Sequence, residues 1–149
     1  MSVTVSNSTT ESTNCTYTIG YWKTHEEAWP VESLMLGSVP YTKAELLAIL
    51  NTSVGGNGLI SLAHQLIGAK LNIANGADPT AAAAAIAAAD ALIGALVVPP
   101  IGAGYLHPSL TSSLTQTLDD YNNGIIGPGH CGTVGTEARN WGEVKALFR

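Results

Sequence analysis

The sequence predicts a mainly α protein, a helical bundle of about five helices with a small N-terminal β element. Three observations lead there. Apolar residues recur at helical spacing through most of residues 42–123. Capping residues, Asn-Gly stops and prolines punctuate that pattern at helix-like intervals. Apolar and polar residues alternate, with β-branched side chains, at 2–6 and 15–19 near the start.

Residues 2–6, Ser-Val-Thr-Val-Ser, read as one short strand, and residues 15–19, Cys-Thr-Tyr-Thr-Ile, as another. A hairpin across the Asn7–Asn14 loop is one arrangement, but a lone two-stranded hairpin is marginal in water. The first strand, carrying Val3 and Val5, can instead be an arm that pairs with another subunit. A frayed terminus is the alternative. The organisation expected is therefore an extended arm over 1–14 followed by one helical domain over 15–149.

Gly20-Tyr21-Trp22-Lys23-Thr24-His25-Glu26-Glu27-Ala28-Trp29-Pro30 is the aromatic focus of the chain. Thr24 and Glu27 have capping-box spacing, which predicts a short helix from His25. Pro30 biases Trp29 away from helical backbone and ends it. Such a short helix needs packing to persist, and Tyr21, Trp22 and Trp29 supply the area.

A linker is expected from Val31 to Pro40. A second capping box, Thr42 and Glu45, opens the next helix, with Leu46, Leu47 and Leu50 inward, before Gly55-Gly56. Asn57 then caps a helix over about 58–75, with Leu59, Leu62, Ala63, Leu66, Ile67 and Ile73 inward and Asn75-Gly76 as its stop. Asp78-Pro79 starts an alanine-rich helix over about 79–96. Its apolar length approaches that of a membrane span. Asp90, the weak hydrophobicity of alanine and Pro99-Pro100 favour a central core helix instead, so no membrane span is expected. Pro108 opens a helix with Leu110, Leu114, Leu118 and Tyr121 on one stripe, ended by Asn122-Asn123-Gly124. A Gly-rich loop over 124–135 leads to a last helix over about 137–148, capped by Thr136, with Trp141, Val144, Leu147 and Phe148 inward.

Composition narrows the function. Charged residues are 11 % of the chain and hydrophobic residues 46 %, whereas charged residues usually make up about a quarter. The polar surface must then be mostly Ser, Thr, Asn and Gly, as is common on exported proteins and on subunits of assemblies. The net charge is −5 with six basic residues scattered along the chain. No basic patch exists to neutralise phosphates, which argues against nucleic acid as a partner. Residues 1–14 lack the basic start and apolar core of a signal peptide, so the chain is read either as cytosolic or as beginning after processing. Two cysteines framing the domain favour the second. Asn7, Asn14 and Asn51 open N-x-S/T sequons, which are glycosylation acceptors where the source modifies asparagine.

Several of these segments together carry a resemblance. Cys15, Gly20-Tyr21-Trp22-Lys23-x-His25, Trp29-Pro30, the run from Leu59 to Asn75, Ala89-Asp90-Ala91-Leu92 and Gly127-Pro128-Gly129-His130-Cys131 resemble a domain of secreted and surface proteins of bacteria that has no established activity. Residue 24 is Thr where that pattern has Asn. The resemblance covers roughly residues 15–131 and implies export and a Cys15–Cys131 bridge. It brings no catalytic residues. Such a bridge would close a loop worth up to ~4.7 kcal/mol in the chain-entropy model. Two reduced, buried thiols are the alternative.

Each candidate for chemistry stands beside a plainer reading. A bridged Cys15–Cys131 would bring His25 and His130 near each other, with Glu26 or Glu27 close, and such a set can bind a transition metal. Yet Trp29 stands where an H-E-x-x-H motif needs its second histidine, and histidines bonded to loop backbone explain the residues as well. Residues 119–130 fail as a calcium loop, with Tyr121 and His130 at ligand positions. No metal or cofactor is assigned. Cys131 beside His130 is a poor catalytic pair, since neighbouring residues rarely aim at one substrate.

Ser61, His64 and Asp90 formally allow a hydrolase triad if the helices on either side of Gly76 are antiparallel. Without a G-x-S-x-G elbow, the preferred reading is a buried polar pair, Asp90 being satisfied by His64 or by loop N–H groups. Tyr21, Trp22 and Trp29 could stack on a sugar, but the short helix needs them for its core. The expected function is a non-enzymatic exported structural protein, found outside the cell or on its surface. It would be a subunit of a filament or surface assembly whose partner is a second copy of itself. A secreted glycan- or metal-binding module built on Tyr21, Trp22, His25, Trp29 and His130 is the alternative, with glycans as the second candidate partner.

Overall fold

The computed structural model describes residues 14–131. The arm residues Val3 and Val5, the sequon at Asn7 and the expected helix over 137–148 lie outside the described residues. Within them the protein is mostly helical, with five α-helices and one two-stranded antiparallel sheet.

Helix α1 spans Ile19–Thr24, and a 3-10 turn follows over Glu26–Ala28. This corrects two expectations. Residues 15–19 are not a strand, and Thr24 ends a helix rather than opening one. Thr18 is the true cap: its hydroxyl accepts from the Tyr21 N–H, which draws the helix start towards the N-terminus, from His25 to Ile19. Only a single parallel bridge, Thr16 to His130, remains of the expected strand. The sheet lies further along. Strand β1, Ser33–Leu36, pairs with β2, Val39–Thr42, so that Leu36 faces Val39 across the turn. The expected linker is thus a hairpin. Leu36 and Tyr41 are its two side chains that reach the core.

Helix α2, Lys43–Leu50, starts as expected: Thr42 and Glu45 bond each other's backbone in a reciprocal capping box. Helix α3, Gly58–Ala74, matches its expected span, and the Asn57 side chain accepts from the Leu59 N–H. It is the axis of the fold, contacting α1, α2, β1 and the two helices that follow. Leu59, Leu62, Ala63, Leu66, Ile67, Ala69 and Leu71 are all fully buried along it. A methyl group on Gly68 would meet Ile19 at 2.8 Å and Asn122 at 2.9 Å. The missing side chain is what lets α1 and the last helix approach so closely.

Helix α4 spans Ala83–Ile93, shorter than the expected 79–96. Asp78 still organises the entry, accepting from the Thr80 N–H and hydroxyl, but regular helix begins later. Gly94, at positive φ, ends it well before the prolines. It is not the central helix. Ala85, Ala89 and Ile93 form its buried stripe while Ala83, Ala84, Ala87, Ala88 and Ala91 are exposed. Alanine is a strong helix former, so exposing it here costs little. Among the described residues, no helix is long and apolar enough to cross a membrane. Helix α5, Pro108–Asn122, opens with proline as expected, and the His107 side chain accepts from the Ser109 N–H. Leu118 and Tyr121 are buried, but Leu110 is exposed and Thr111 takes the inward position. Helix α5 approaches α3 closely there: a Cβ on Gly58 would meet Thr111 Oγ1 at 2.6 Å and Pro108 Cα at 2.9 Å.

Candidate functional site

The chain closes on itself at Cys15–Cys131, a disulfide with Cα atoms 4.9 Å apart joining residues 116 positions apart in sequence. Backbone bonds continue the closure. The Thr16 N–H donates to the Gly129 carbonyl at 2.8 Å, and the Cys131 N–H donates to the Thr16 carbonyl at 2.7 Å. Beneath this clasp lies a polar network in the core. Asn72 is fully buried on α3 and uses all of its side chain. Its Oδ1 accepts from the Tyr17 N–H at 2.8 Å and the Trp22 Nε1–H at 3.2 Å. Its Nδ2 donates to the Tyr17 carbonyl at 2.9 Å and to Asn122 Oδ1 at 3.0 Å. Asn122 Nδ2 passes the chain of bonds on to the carbonyl and the side chain of Gln65. The Thr16 hydroxyl donates to the Asn122 carbonyl. One asparagine therefore ties the segment after Cys15, the indole of Trp22 and the end of α5 to the central helix. Its only signal in the sequence is a lone Asn among the apolar residues of α3, which residue type does not distinguish from a surface position.

The aromatic residues divide into two groups. Trp22 is 1 % exposed and Trp29 7 % exposed. The Trp29 Nε1–H donates to the Trp22 carbonyl at 2.8 Å, and the Lys43 ammonium lies 5.7 Å from the Trp29 ring centre. Neither indole offers a free face. Tyr17, Tyr21 and His25 instead form a ladder: Tyr17 and Tyr21 stack at 3.9 Å, Tyr21 and His25 at 4.2 Å. These rings lie over one another rather than side by side, so they make no flat platform for a sugar. Burial, then the neighbouring Tyr17 phenol, raises the Tyr21 hydroxyl above its ordinary pKa.

The expected metal set is dispersed in its bonding. His25 Nδ1 lies 3.0 Å from the Tyr21 carbonyl and so is a donor there. Glu26 opens the exposed 3-10 turn, and His130 sits opposite Thr16 in a bridge whose hydrogen bonds are made by Gly129 and Cys131. Among the described residues, no group of three or more His, Cys, Asp or Glu is placed to hold a metal ion.

Ser61, His64 and Asp90 do not form a relay. The Ser61 hydroxyl donates to the Gly58 carbonyl, and His64 Nε2 donates to the Ile49 carbonyl at 2.7 Å. Asp90 meets no histidine. It takes both carboxylate oxygens to the Lys70 ammonium, at 2.9 and 3.0 Å, and accepts from the Gly37 N–H at 2.9 Å. The expected loop N–H is there. The cation is not, in sequence terms, where the pairing with His64 placed it, because Lys70 lies nearly two turns further along α3. Of the sequons, Asn14 and Asn51 are exposed, Asn14 Oδ1 accepting from the Asp78 N–H and Asn51 Nδ2 donating to the Leu47 carbonyl.

His64 belongs to a different feature, a cavity of about 340 Å³. Ile19, Gly20 and Lys23 of α1 form one wall. Leu50 and the loop Asn51–Val54 form another, and His64 closes the third. Burial above all, and the charge of Lys23 to a lesser degree, lower the pKa of His64, against the raising effect of the Ile49 and Thr52 backbone. The imidazole is therefore held neutral with its proton on Nε2. No family model matches the chain, and no curated protein or solved structure is significantly similar to it.

Proposed function

We propose that the protein is an exported, non-enzymatic structural module: a disulfide-closed helical bundle that serves as a subunit of an extracellular filament or surface assembly. In this reading residues 1–10 pair with a second copy, using backbone groups that an added strand satisfies without much sequence specificity. The observation that supports it is the clasp. Residues 15 and 131, near the two ends of the described residues, are held together covalently, so the chain between them is a closed loop. A disulfide of this kind is compatible with an oxidising, extracellular location. The sparse charge and the abundance of Ser, Thr and Asn agree with a subunit that covers part of its exterior.

Deleting residues 1–10 tests the arm. The truncated protein should stay folded and monomeric, while the full chain forms higher species by sedimentation velocity and extended objects by electron microscopy. Assembly of the truncated chain at the full-length concentration would remove the arm from the account.

A further inference from the structure

We propose that the cavity between α1, the loop Asn51–Val54 and His64 binds an acidic sugar, a hexuronate or the uronate end of an acidic polysaccharide. This goes beyond the assembly role and does not depend on it. The argument is an inventory of what the walls offer. Lys23 supplies one positive charge, and it has no ion-pair partner among the described residues, whereas Lys70 is neutralised by Asp90. The cavity therefore has an unpaired lysine and no carboxylate in its lining, which favours an anion.

The hydrogen-bonding groups narrow the anion further. Asn51 commits one amide N–H to the Leu47 carbonyl, which leaves the other N–H to donate and Oδ1 to accept. The Thr52 hydroxyl donates to the Ala48 carbonyl at 2.7 Å, which leaves its lone pairs. Ser53 is exposed, and its hydroxyl both donates and accepts. Donors and acceptors both remain, so the fitting ligand carries hydroxyl groups, which do both, as well as its negative charge. Ile19, Leu50 and Val54 supply apolar wall, which suits the C–H face of a pyranose. A bare inorganic anion would leave that wall and those acceptors unused. The volume of about 340 Å³ is at the small end for ligand pockets and suits one sugar ring.

The test uses the full oxidised chain and three probes followed by amide and imidazole NMR shifts: glucuronate, glucose and acetate. Glucuronate should move residues 19–23, 50–54 and the His64 ring saturably and together. Glucose, lacking the charge, and acetate, lacking the ring hydroxyls, should each bind about tenfold more weakly or worse, the loss expected for roughly one charge-assisted contact. Glucuronate should also raise the midpoint of the His64 imidazole titration by offsetting Lys23, and glucose should not. Lys23→Met should weaken glucuronate by about tenfold while leaving thermal unfolding unchanged, since Lys23 is exposed. Ser53→Ala, a second variant outside the core, should likewise weaken glucuronate without moving thermal unfolding. Equal binding of glucose and glucuronate, equal binding of acetate and glucuronate, unaffected binding in both variants, or shifts away from these residues would each overturn the proposal.

Discussion

Asn72 has no exposed surface, yet every hydrogen-bonding atom of its side chain is used. A buried amide is tolerable only on that condition, and the condition makes it hard to replace. Asn72→Leu would remove the partner of the Tyr17 N–H, the Tyr17 carbonyl, the Trp22 indole N–H and Asn122 Oδ1 at once. The expected loss is about 3–5 kcal/mol, from four groups at roughly 1–3 kcal/mol each with partial relaxation, measured by urea unfolding at neutral pH. A loss under about 1 kcal/mol would mean the network is not what holds the first turn. His64 gives a second residue-scale prediction. Its folded pKa lies below the ordinary 6.5, so below that pH the unfolded chain takes a proton that the folded chain refuses. Stability is complete above about pH 6.5 and falls as pH drops towards the folded midpoint. His64→Gln should flatten that slope in a urea series across the window. Neither role is readable from residue type: Asn72 looks like one polar interruption of an apolar helix, and its partners are fifty or more positions away.

At the scale of elements, Asp90 acts as a strap rather than as chemistry. Its carboxylate joins α4 to α3 through Lys70 and holds the β1–β2 turn through the Gly37 N–H. A Cβ at Gly37 would collide with the Gly94 carbonyl, so turn and helix end are in direct backbone contact and their register matters. Asp90→Leu leaves Lys70 without its counter-charge and the Gly37 N–H without an acceptor. The pair is partly exposed, with side chains 17 % and 30 % accessible, so the expected cost is about 1–3 kcal/mol rather than that of a fully buried pair. An Asp90→Leu protein that melts like wild type would show the strap to be dispensable. Most helix positions are legible from local rules. The caps at Thr42 and Asn57 and the proline at 108 act within one turn, and each sits where those rules place it. The hairpin over 33–42 is not legible, because Pro40 and an irregular apolar pattern mask it and its stability comes from packing Leu36 and Tyr41.

For the whole molecule, the clasp decides how the domain carries force and how it survives reduction. With residues 15 and 131 bonded, tension applied at positions just outside the bridge passes through sulfur and bypasses the helices between them. Pulling the oxidised chain through handles placed at positions 14 and 132 should therefore release no length from the closed loop. After reduction, or in a Cys15→Ser/Cys131→Ser protein, unfolding should release about 40 nm, at ~3.6 Å for each residue of the loop. Equal release in both states would show that the bridge does not span the load path. The same comparison in urea should cost the reduced protein roughly 4–5 kcal/mol, the chain-entropy value for a loop of this size.

The sequence by itself determined the helical class, most helix boundaries among the described residues and the burial of Trp22 and Trp29. These follow from caps, periodicity and hydrophobicity, which act over a turn or are set by residue type. The tertiary structure alone decided which helix is central, where the sheet lies, that Asp90 meets Lys70 and not His64, and that Lys23 and His64 share a cavity. Those outcomes depend on how closely backbones approach at Gly58 and Gly68, and contacts between residues distant in the chain are fixed by mutual packing that no local pattern encodes.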